Sequence, residues 1–382
     1  MGVTKTTLFK VIVSFFLIMN SFAQMLAPKS WKTKLLFNLY SQSSDNGAQV
    51  YDDSGNEDAF VFEPILFIAH QIDETTNINA HVTFDVWTAE SDTILDEKTG
   101  QSAESPIKGQ TRISGKFNYS KELGNSIITP SVGFSSEFDY RSFNAGLNWT
   151  GSFAEDNFTL SIGAQAFIDS VKLFDYTKEV PTDFQDKNVY SVDVSASQLL
   201  TRSDVISFGH TYISQSGALE SIRNTTPSSG GRVPEKLPET RDRYAYYTQW
   251  VHAFSDDVAT SVKYRYYHDS WKLSANTIET SLRFSTNEED GYLEFNYRYH
   301  DQSDVKYFTR NLSLGQNYHT ADSDLEDFSS HRFGPHYGID LGETSIFKLP
   351  IENLSLSTSV YYYYRTNKLT YMTTQFGIGA EF

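Results

Sequence analysis

The sequence contains no cysteine. That removes disulfides, thiolate chemistry, thiolate-ligated zinc, iron–sulfur clusters and c-type haem attachment. Cations are scarce as well: Lys and Arg number 31 against 48 Asp and Glu, for a formal net charge of −17. Nothing in such a chain resembles the basic stripe by which proteins hold nucleic acid, so no nucleic-acid partner is expected. Long apolar runs are missing after residue 22, and a spanning helix needs about 20 apolar residues. Mean hydropathy is −0.42. Yet aromatics make up 15% of the chain, with 24 Tyr and 28 Phe, spread singly through polar sequence.

The one apolar run that exists lies at the N-terminus. Lys5 and Lys10 precede "VIVSFFLIM", and Ser21 and Ala23 stand at the −3 and −1 positions of a cleavage site. This arrangement reads as a secretory signal peptide over residues 1–23, too short to span a membrane. The mature chain, 24–382, then starts at Gln24 and forms one domain. With no cysteine there is no site for a lipid anchor.

The remaining chain is organised by a period of two. In "TNINAHVTFDVW" (76–87), Ile78, Ala80, Val82, Phe84 and Val86 share one face, and Asn77, Asn79, His81, Thr83 and Asp85 share the other. That is a strand with an apolar and a polar side. The same pattern recurs through Phe143–Trp149, Phe158–Ala166, Tyr190–Ala196 and Leu354–Tyr364. Sixteen such stretches begin near residues 31, 59, 76, 110, 126, 142, 158, 187, 205, 241, 258, 273, 292, 331, 353 and 370. Most reach ten residues, and a tilted membrane strand needs about 9–11. No helical period competes with them.

The connections sort by length. Residues 43–58, 90–109, 170–186, 215–240 and 301–330 are long and polar, and short turns such as 73–76, 121–125, 154–157, 201–204, 255–257 and 287–290 lie between them. A transmembrane barrel has this asymmetry, with short periplasmic turns and longer outer loops. Lipid offers the backbone no hydrogen bonds, so a chain without spanning helices crosses only as a closed sheet. The expected fold is therefore all-β: a transmembrane antiparallel β-barrel of about 16 strands, integral to a bacterial outer membrane, both termini periplasmic. A soluble sandwich gives no reason for loop lengths to follow parity.

The chain closes on "QFGIGAEF", where Phe376, Ile378, Ala380 and Phe382 fall on the apolar face. This resembles the C-terminal strand that outer-membrane barrels present to the barrel-assembly machinery. It is expected to pair with the first strand, near Trp31–Ser41. Outer-membrane lipids and that machinery are the expected partners.

From residue 90 onward the chain resembles the DUF3570 family of Gram-negative outer-membrane barrels. The resemblance rests on "GQTRISGKFNYS" (109–120), "SSEFDYRSF" (135–143), "VSASQLLTRSDVISFGHTYISQSGALE" (194–220), "PETRDRYAYYTQWVHAF…VKYRYYHDSWKLSANTIETSL" (238–282) and "FNYRYHDQSDVKYF" (295–308). Where family members often read "DDWG", this chain reads "HDSWK". The family implies a fold and a location without an established activity. Its gene neighbourhoods, with a small lipoprotein and a flavin-attaching envelope enzyme, imply a role in an envelope redox or assembly system and a small lipoprotein as partner.

Chemistry is expected on the polar faces. Lys263 and Arg265, Glu279 and Arg283, and Glu294 and Arg298 occupy three successive strands. Strands lie about 4.8 Å apart, so these charges can pair across the sheet. They form either a charged constriction or an ion-pair ladder that stiffens the wall, with Arg112 and Lys116 in the same field. His268 and Asp269 are adjacent and so point to opposite faces, which weakens a proton-transfer pair or half a metal site. His331 and His336 likewise fall on opposite faces, against a shared metal. His210 and Ser214 are spaced one strand repeat too far apart for the direct hydrogen bond of a His–Ser hydrolase. The acidic loops, including Asp45, Asp52, Asp53, Glu57 and Asp58, read as a solvated surface rather than a divalent-cation site; "DSDLED" lacks the glycine and distal glutamate of a calcium loop. No catalytic residue, metal or cofactor is expected. Porin-like passage of small solutes through a charged lumen is the leading functional expectation. A non-conducting barrel that anchors a lipoprotein or redox partner is the second, and a surface hydrolase the third.

Overall fold

Residues that alternate apolar and polar cannot bury both faces in one core, and this chain resolves the conflict by closing its sheet. The computed structural model describes residues 29–43, 58–87, 110–175, 178, 180–221, 225–286, 290–346 and 349–382. The signal peptide, the acidic residues Asp45, Asp52, Asp53 and Glu57, and the loop at 90–109 lie outside the described residues.

Sixteen antiparallel strands form one closed barrel. In chain order the first eight are β1 (Trp31–Ser43), β2 (Ala59–Asp73), β3 (Thr76–Trp87), β4 (Gln110–Leu123), β5 (Ser126–Ser136), β6 (Tyr140–Phe153), β7 (Phe158–Val171) and β8 (Gln185–Leu199). The others are β9 (Asp204–Gly217), β10 (Thr240–Ala253), β11 (Val258–Asp269), β12 (Ser274–Thr286), β13 (Gly291–Gln302), β14 (Phe328–Asp340), β15 (Asn353–Arg365) and β16 (Thr370–Glu381). Every strand pairs with its sequence neighbour, and β16 closes on β1 with Phe376 opposite Phe37 and Ile378 opposite Leu35. Closure leaves no sheet edge, which is the condition for backbone in lipid. No helix among the described residues is long and apolar enough to cross a membrane.

The outer face carries the apolar set. Phe84, Phe143, Leu147, Ile168, Phe208, Phe295, Phe333 and Phe376 are all exposed. An apolar belt of that extent belongs against lipid, not water. Stacked aromatics mark both ends of the belt, with Trp31 on His70 at 4.0 Å near one rim and His268 on Tyr244 at 4.9 Å toward the other. Such girdles are what interfaces select, because an amphipathic ring suits the headgroup level.

The two rims differ. One holds the short turns, and its turn 154–156 places Ala154, Glu155 and Asp156 all at positive φ (53°, 56° and 65°). The opposite rim holds the connections 172–184, 218–239 and 303–327, but also the tight turns 137–139, 270–273 and 366–369. One longer connection, 341–352, falls on the short-turn rim and carries a small hairpin, Thr344–Ile346 with Leu349–Ile351. Every other connection on the short-turn rim is short, whereas the opposite rim mixes long loops with tight turns, so loop length follows parity on one rim only.

Candidate functional site

The lumen wall is where polar side chains converge. A single row perpendicular to the strands runs from Gln249 (β10) through Lys263 (β11), Glu279 (β12) and Arg298 (β13) to Arg332 (β14). Three cations there face one acid. Glu279 forms an ion pair with Arg298 at 3.2 Å. Lys263 lies over the Tyr247 ring at 4.5 Å, and Arg332 over Tyr361 at 5.1 Å. Arg265 sits one step nearer the long-loop rim, in register with Tyr247 and Thr277.

Arg283 and Glu294 also face each other in register, two layers nearer the short-turn rim. They do not close into an ion pair. Arg283 instead covers the Tyr292 ring at 3.6 Å, and the buried Glu294 keeps one carboxylate oxygen without a partner. The six charges read from the sequence are therefore all on the lumen side, but only Glu279 and Arg298 make the cross-strand contact. Past Arg332 the wall becomes aromatic, with Tyr363 stacked on Tyr371 at 4.2 Å and Tyr40 against Tyr371 at 4.9 Å.

The wall of β5–β9 is different. Small hydroxyl and amide side chains bond one another: Ser120 with Thr129 (3.0 Å), Thr150 with Ser161 (3.0 Å), Gln165 with Asn144 (2.9 Å) and Ser197 with Ser207 (2.9 Å). Such residues leave space, and a cavity of about 380 Å³ lies along them, bounded by Lys116 on β4 and Lys263 on β11.

At the long-loop rim the connections turn inward. Leu237, Trp271, Leu273 and Val305 form a small core with Ala275 of the wall, and Leu325 and Tyr267 pack against it. Segments 218–239 and 303–327 are joined backbone to backbone at Lys236 and His319. Lumen-facing Arg365 holds the second segment through Asp324 at 2.6 Å and the Ser323 carbonyl at 2.9 Å. Beneath them Arg241 donates to Asp269 at 2.9 and 2.5 Å, while Tyr267 and the Leu273 N–H also donate to Asp269. Both charged side chains are nearly inaccessible, at 7% and 0% exposure. The Trp271 ring lies under the Arg241 guanidinium at 4.2 Å.

Glu235 is buried between the loops. It accepts from the Ser221 N–H at 2.6 Å and from the Thr320 hydroxyl at 2.7 Å. Burial first, then nearby Asp322, pushes its carboxyl up to about 8. His319 moves the other way: burial, then Lys236, lowers it. Between these loops and the wall of β2–β10 lies a second cavity of about 610 Å³. Arg112 reaches into it, bonded to Asp85 at 2.5 Å with Glu63 at 3.9 Å.

The remaining candidates are separated by strand parity. Asp269 points into the lumen, whereas His268 is outside, stacked on Tyr244 at 4.9 Å. His331 is outside with the Tyr297 hydroxyl at 2.9 Å, and His336 is inside with Tyr292 at 3.2 Å. The His210 ring nitrogen meets the Ala245 carbonyl at 3.2 Å rather than a serine. No group of three or more metal-ligating residues is assembled among the described residues. Loop acids pair locally instead, as Glu326 does with Arg310 at 2.8 Å.

Sequence reasoning missed Arg332, the Tyr363–Tyr371 stack and the inward loops. Arg332 has the inward parity of His336 and joins the charge row through its register with Arg298. No pattern of residues marks where an irregular loop will pack.

Among solved structures, the chain is similar to a bacterial polysaccharide outer-membrane secretin, at 8% identity over 92% of this chain and 98% of that one, with a TM-score of 0.47. It is similar to OccK1 (OpdK) of Pseudomonas aeruginosa at 8% identity, over 92% and 98% of the chains, with a TM-score of 0.43. A FadL homologue of Pseudomonas aeruginosa aligns at 8% identity over 94% and 90%, also with a TM-score of 0.43. No curated protein matches the sequence. The model of the DUF3570 family, a protein of unknown function, matches residues 26–377, nearly the whole chain, and the chain belongs to that family.

Proposed function

We propose that this barrel resides in the bacterial outer membrane with both termini in the periplasm, and passes small hydrophilic solutes through its lumen. One observation carries the reading. The inward loops lie against the side of β11–β15, at Tyr267, Ala275, Gln302 and Arg365, and leave polar cavities of about 610 and 380 Å³ along the opposite wall. Barrels of about this size hold an aqueous channel unless loops fill it, and here the filling is one-sided. Solutes would enter between the loops and β2–β10, then pass the row of Lys263, Arg298 and Arg332 on the wall.

A planar-bilayer recording tests it. Refolded, heat-modifiable barrel should give stepwise conductance. Correctly folded protein that never conducts would overturn the passage reading.

The packed core at Leu237, Trp271, Leu273 and Val305 favours a second reading, a closed barrel that serves as an anchor in the envelope. A small lipoprotein would be its partner. Stoichiometric co-purification of such a lipoprotein with a non-conducting barrel would select that reading over the first.

A further inference from the structure

The chain carries a net charge of −17, yet the interior of the barrel does not share that sign. Across the row from Gln249 to Arg332 the only acid is Glu279, and Arg298 takes it up. Acid gathers instead at the long-loop rim, where Asp304, Asp322, Asp324, Glu326 and Asp327 lie in one segment. A solute therefore leaves an acidic mouth for a cationic interior. Low-dielectric walls focus that field, which a screening electrolyte weakens only partly.

The cavity of about 380 Å³ sits in this field. Lys116 closes one side of it and Lys263 the other, and between them run hydroxyls and amides such as Asn118, Ser131, Asn148 and Ser195. Asp193 is its one lining acid, and that carboxylate already accepts from the Thr211 hydroxyl at 2.6 Å. Neither lysine forms an ion pair among the described residues; Lys263 lies over the Tyr247 ring, with Glu279 beside it in register and turned to Arg298. Two ammonium groups without an ion-pair partner thus flank a bank of small polar side chains.

Hydroxyls and amides each donate and accept, so this bank suits a ligand that does both at several positions. A neutral sugar would use the bank and leave the lysines idle. A simple carboxylate would use a lysine and leave the bank unmatched. An aromatic acid would meet the Tyr247 ring and a lysine but leave the hydroxyls and amides unmatched. The volume falls within the range of small-ligand sites, about 300–1,000 Å³, toward its lower end. We propose that the trough between Lys116 and Lys263 is a binding site for a polyhydroxylated monocarboxylate of monosaccharide size, a sugar acid. The proposal names the solute class of the passage inferred above and rests on that reading for its place in transport, while the binding itself stands apart from it.

The test is equilibrium binding to the refolded full-length barrel in detergent, by titration calorimetry. Glucuronate is the probe, and glucose and benzoate are the controls. Glucuronate should bind at least about tenfold tighter than either control, a difference read directly from the dissociation constants. Its affinity should fall as salt rises from 0.05 to about 0.5 M, as screening demands. The double variant Lys116→Gln, Lys263→Gln should bring glucuronate down to the level of glucose and leave glucose unchanged. Heat-modifiable migration checks that the variant is folded, and the ligand comparison on the parent protein needs no variant at all. Glucose or benzoate binding as well as glucuronate would overturn the proposal, as would a folded double variant that binds glucuronate like the parent. Binding without conductance would remove the passage and leave the site; conductance without binding would do the reverse.

Discussion

The two sides of the lumen wall obey the same alternation and reach opposite ends. On β5–β9 most inward positions are Ser, Thr, Asn, Gln and Gly, several bonded in short neutral pairs such as Ser197 with Ser207 at 2.9 Å, and charges such as Asp169, Lys187 and Asp193 are few. On β10–β15 Arg, Lys, Glu, Tyr and His are interspersed among small residues. The neutral side stays open, and the loops settle on the charged one. Size is one reason. Long side chains such as Tyr267 and Arg365 reach far enough inward to meet a loop, and small hydroxyls do not. Charge is the other, because the 303–327 segment is acidic and its Asp324 finds Arg365 on that wall. Strand parity decides which positions are wet; the chemistry at those positions decides whether water or protein fills the space beside them.

The contrast depends most on the buried pair of Arg241 and Asp269. Removing one member of a buried, hydrogen-bonded pair strands the other charge, at a cost of about 3–5 kcal/mol. Asp269→Ala would leave Arg241 without its counter-charge, free the Tyr267 hydroxyl and the Leu273 N–H, and unseat Trp271, which rests under Arg241. The barrel itself, held by its continuous ladder, should survive. The loops should not stay docked. Limited proteolysis within 218–239 and 303–327 should become rapid, Trp271 emission should shift to the red, and any conductance should rise. Loops as resistant as in the parent would show that the neutral and charged sides do not differ for this reason.

A milder way to erase the contrast is pH. Glu235 is the buried acid that the two loops share, and its folded value of about 8 stands above the ordinary carboxyl range. In the docked state it holds a proton that the undocked chain has released once pH exceeds its ordinary value of about 4.3. Docking therefore loses stability as pH rises from there to about 8, and is flat beyond. Protease cleavage of the loops should accelerate over that interval. Glu235→Gln keeps the group neutral at every pH and should abolish the acceleration toward pH 8. A parent protein whose cleavage rate is constant from pH 5 to 9 would contradict the assignment. His319, lowered by burial, adds a smaller effect of opposite sign below its ordinary value, since undocking lets it charge.

How much of this could be read from residues alone follows from the ranges involved. Ile78 through Val86 declare their outward face because a strand repeats every two residues and lipid tolerates no error. The strand starts at 31, 59, 76, 110, 126, 258, 353 and 370 fall where the alternation begins. Closure of Phe376 on Phe37 needed only an even count and an apolar last strand. Lys263, Glu279 and Arg298 were placed on one face by parity, but contact depends on side-chain reach, and Arg283 chose the Tyr292 ring over Glu294. Least legible was the core of Leu237, Trp271 and Val305, because its members come from irregular segments far apart in sequence. No period links them.

The smallest test sharpens the boundary between the two walls. Gly209, an inward position of β9, the strand that borders the charged side, faces Tyr247 across the β9–β10 pair. The phenol ring lies flat over the glycine, and a Cβ at 209 would land on it. Gly209→Ala should therefore push the ring aside rather than block folding. Overpacking of this kind costs about 1–3 kcal/mol, visible as a lower urea midpoint. The sharper readout is downstream. Tyr247 holds Lys263 at 4.5 Å, so a displaced ring frees the ammonium that bounds the neutral trough. Glucuronate affinity should drop by about two- to threefold, equivalent to well under 1 kcal/mol, while glucose binding stays level. Ser207→Ala, two residues away on the same face, removes a lining hydroxyl bonded to Ser197 and should weaken glucuronate and glucose alike, leaving their ratio unchanged. If both substitutions lower the ratio of glucuronate to glucose affinity equally, the Tyr247 ring is not what positions Lys263, and the two walls meet without a hinge between them.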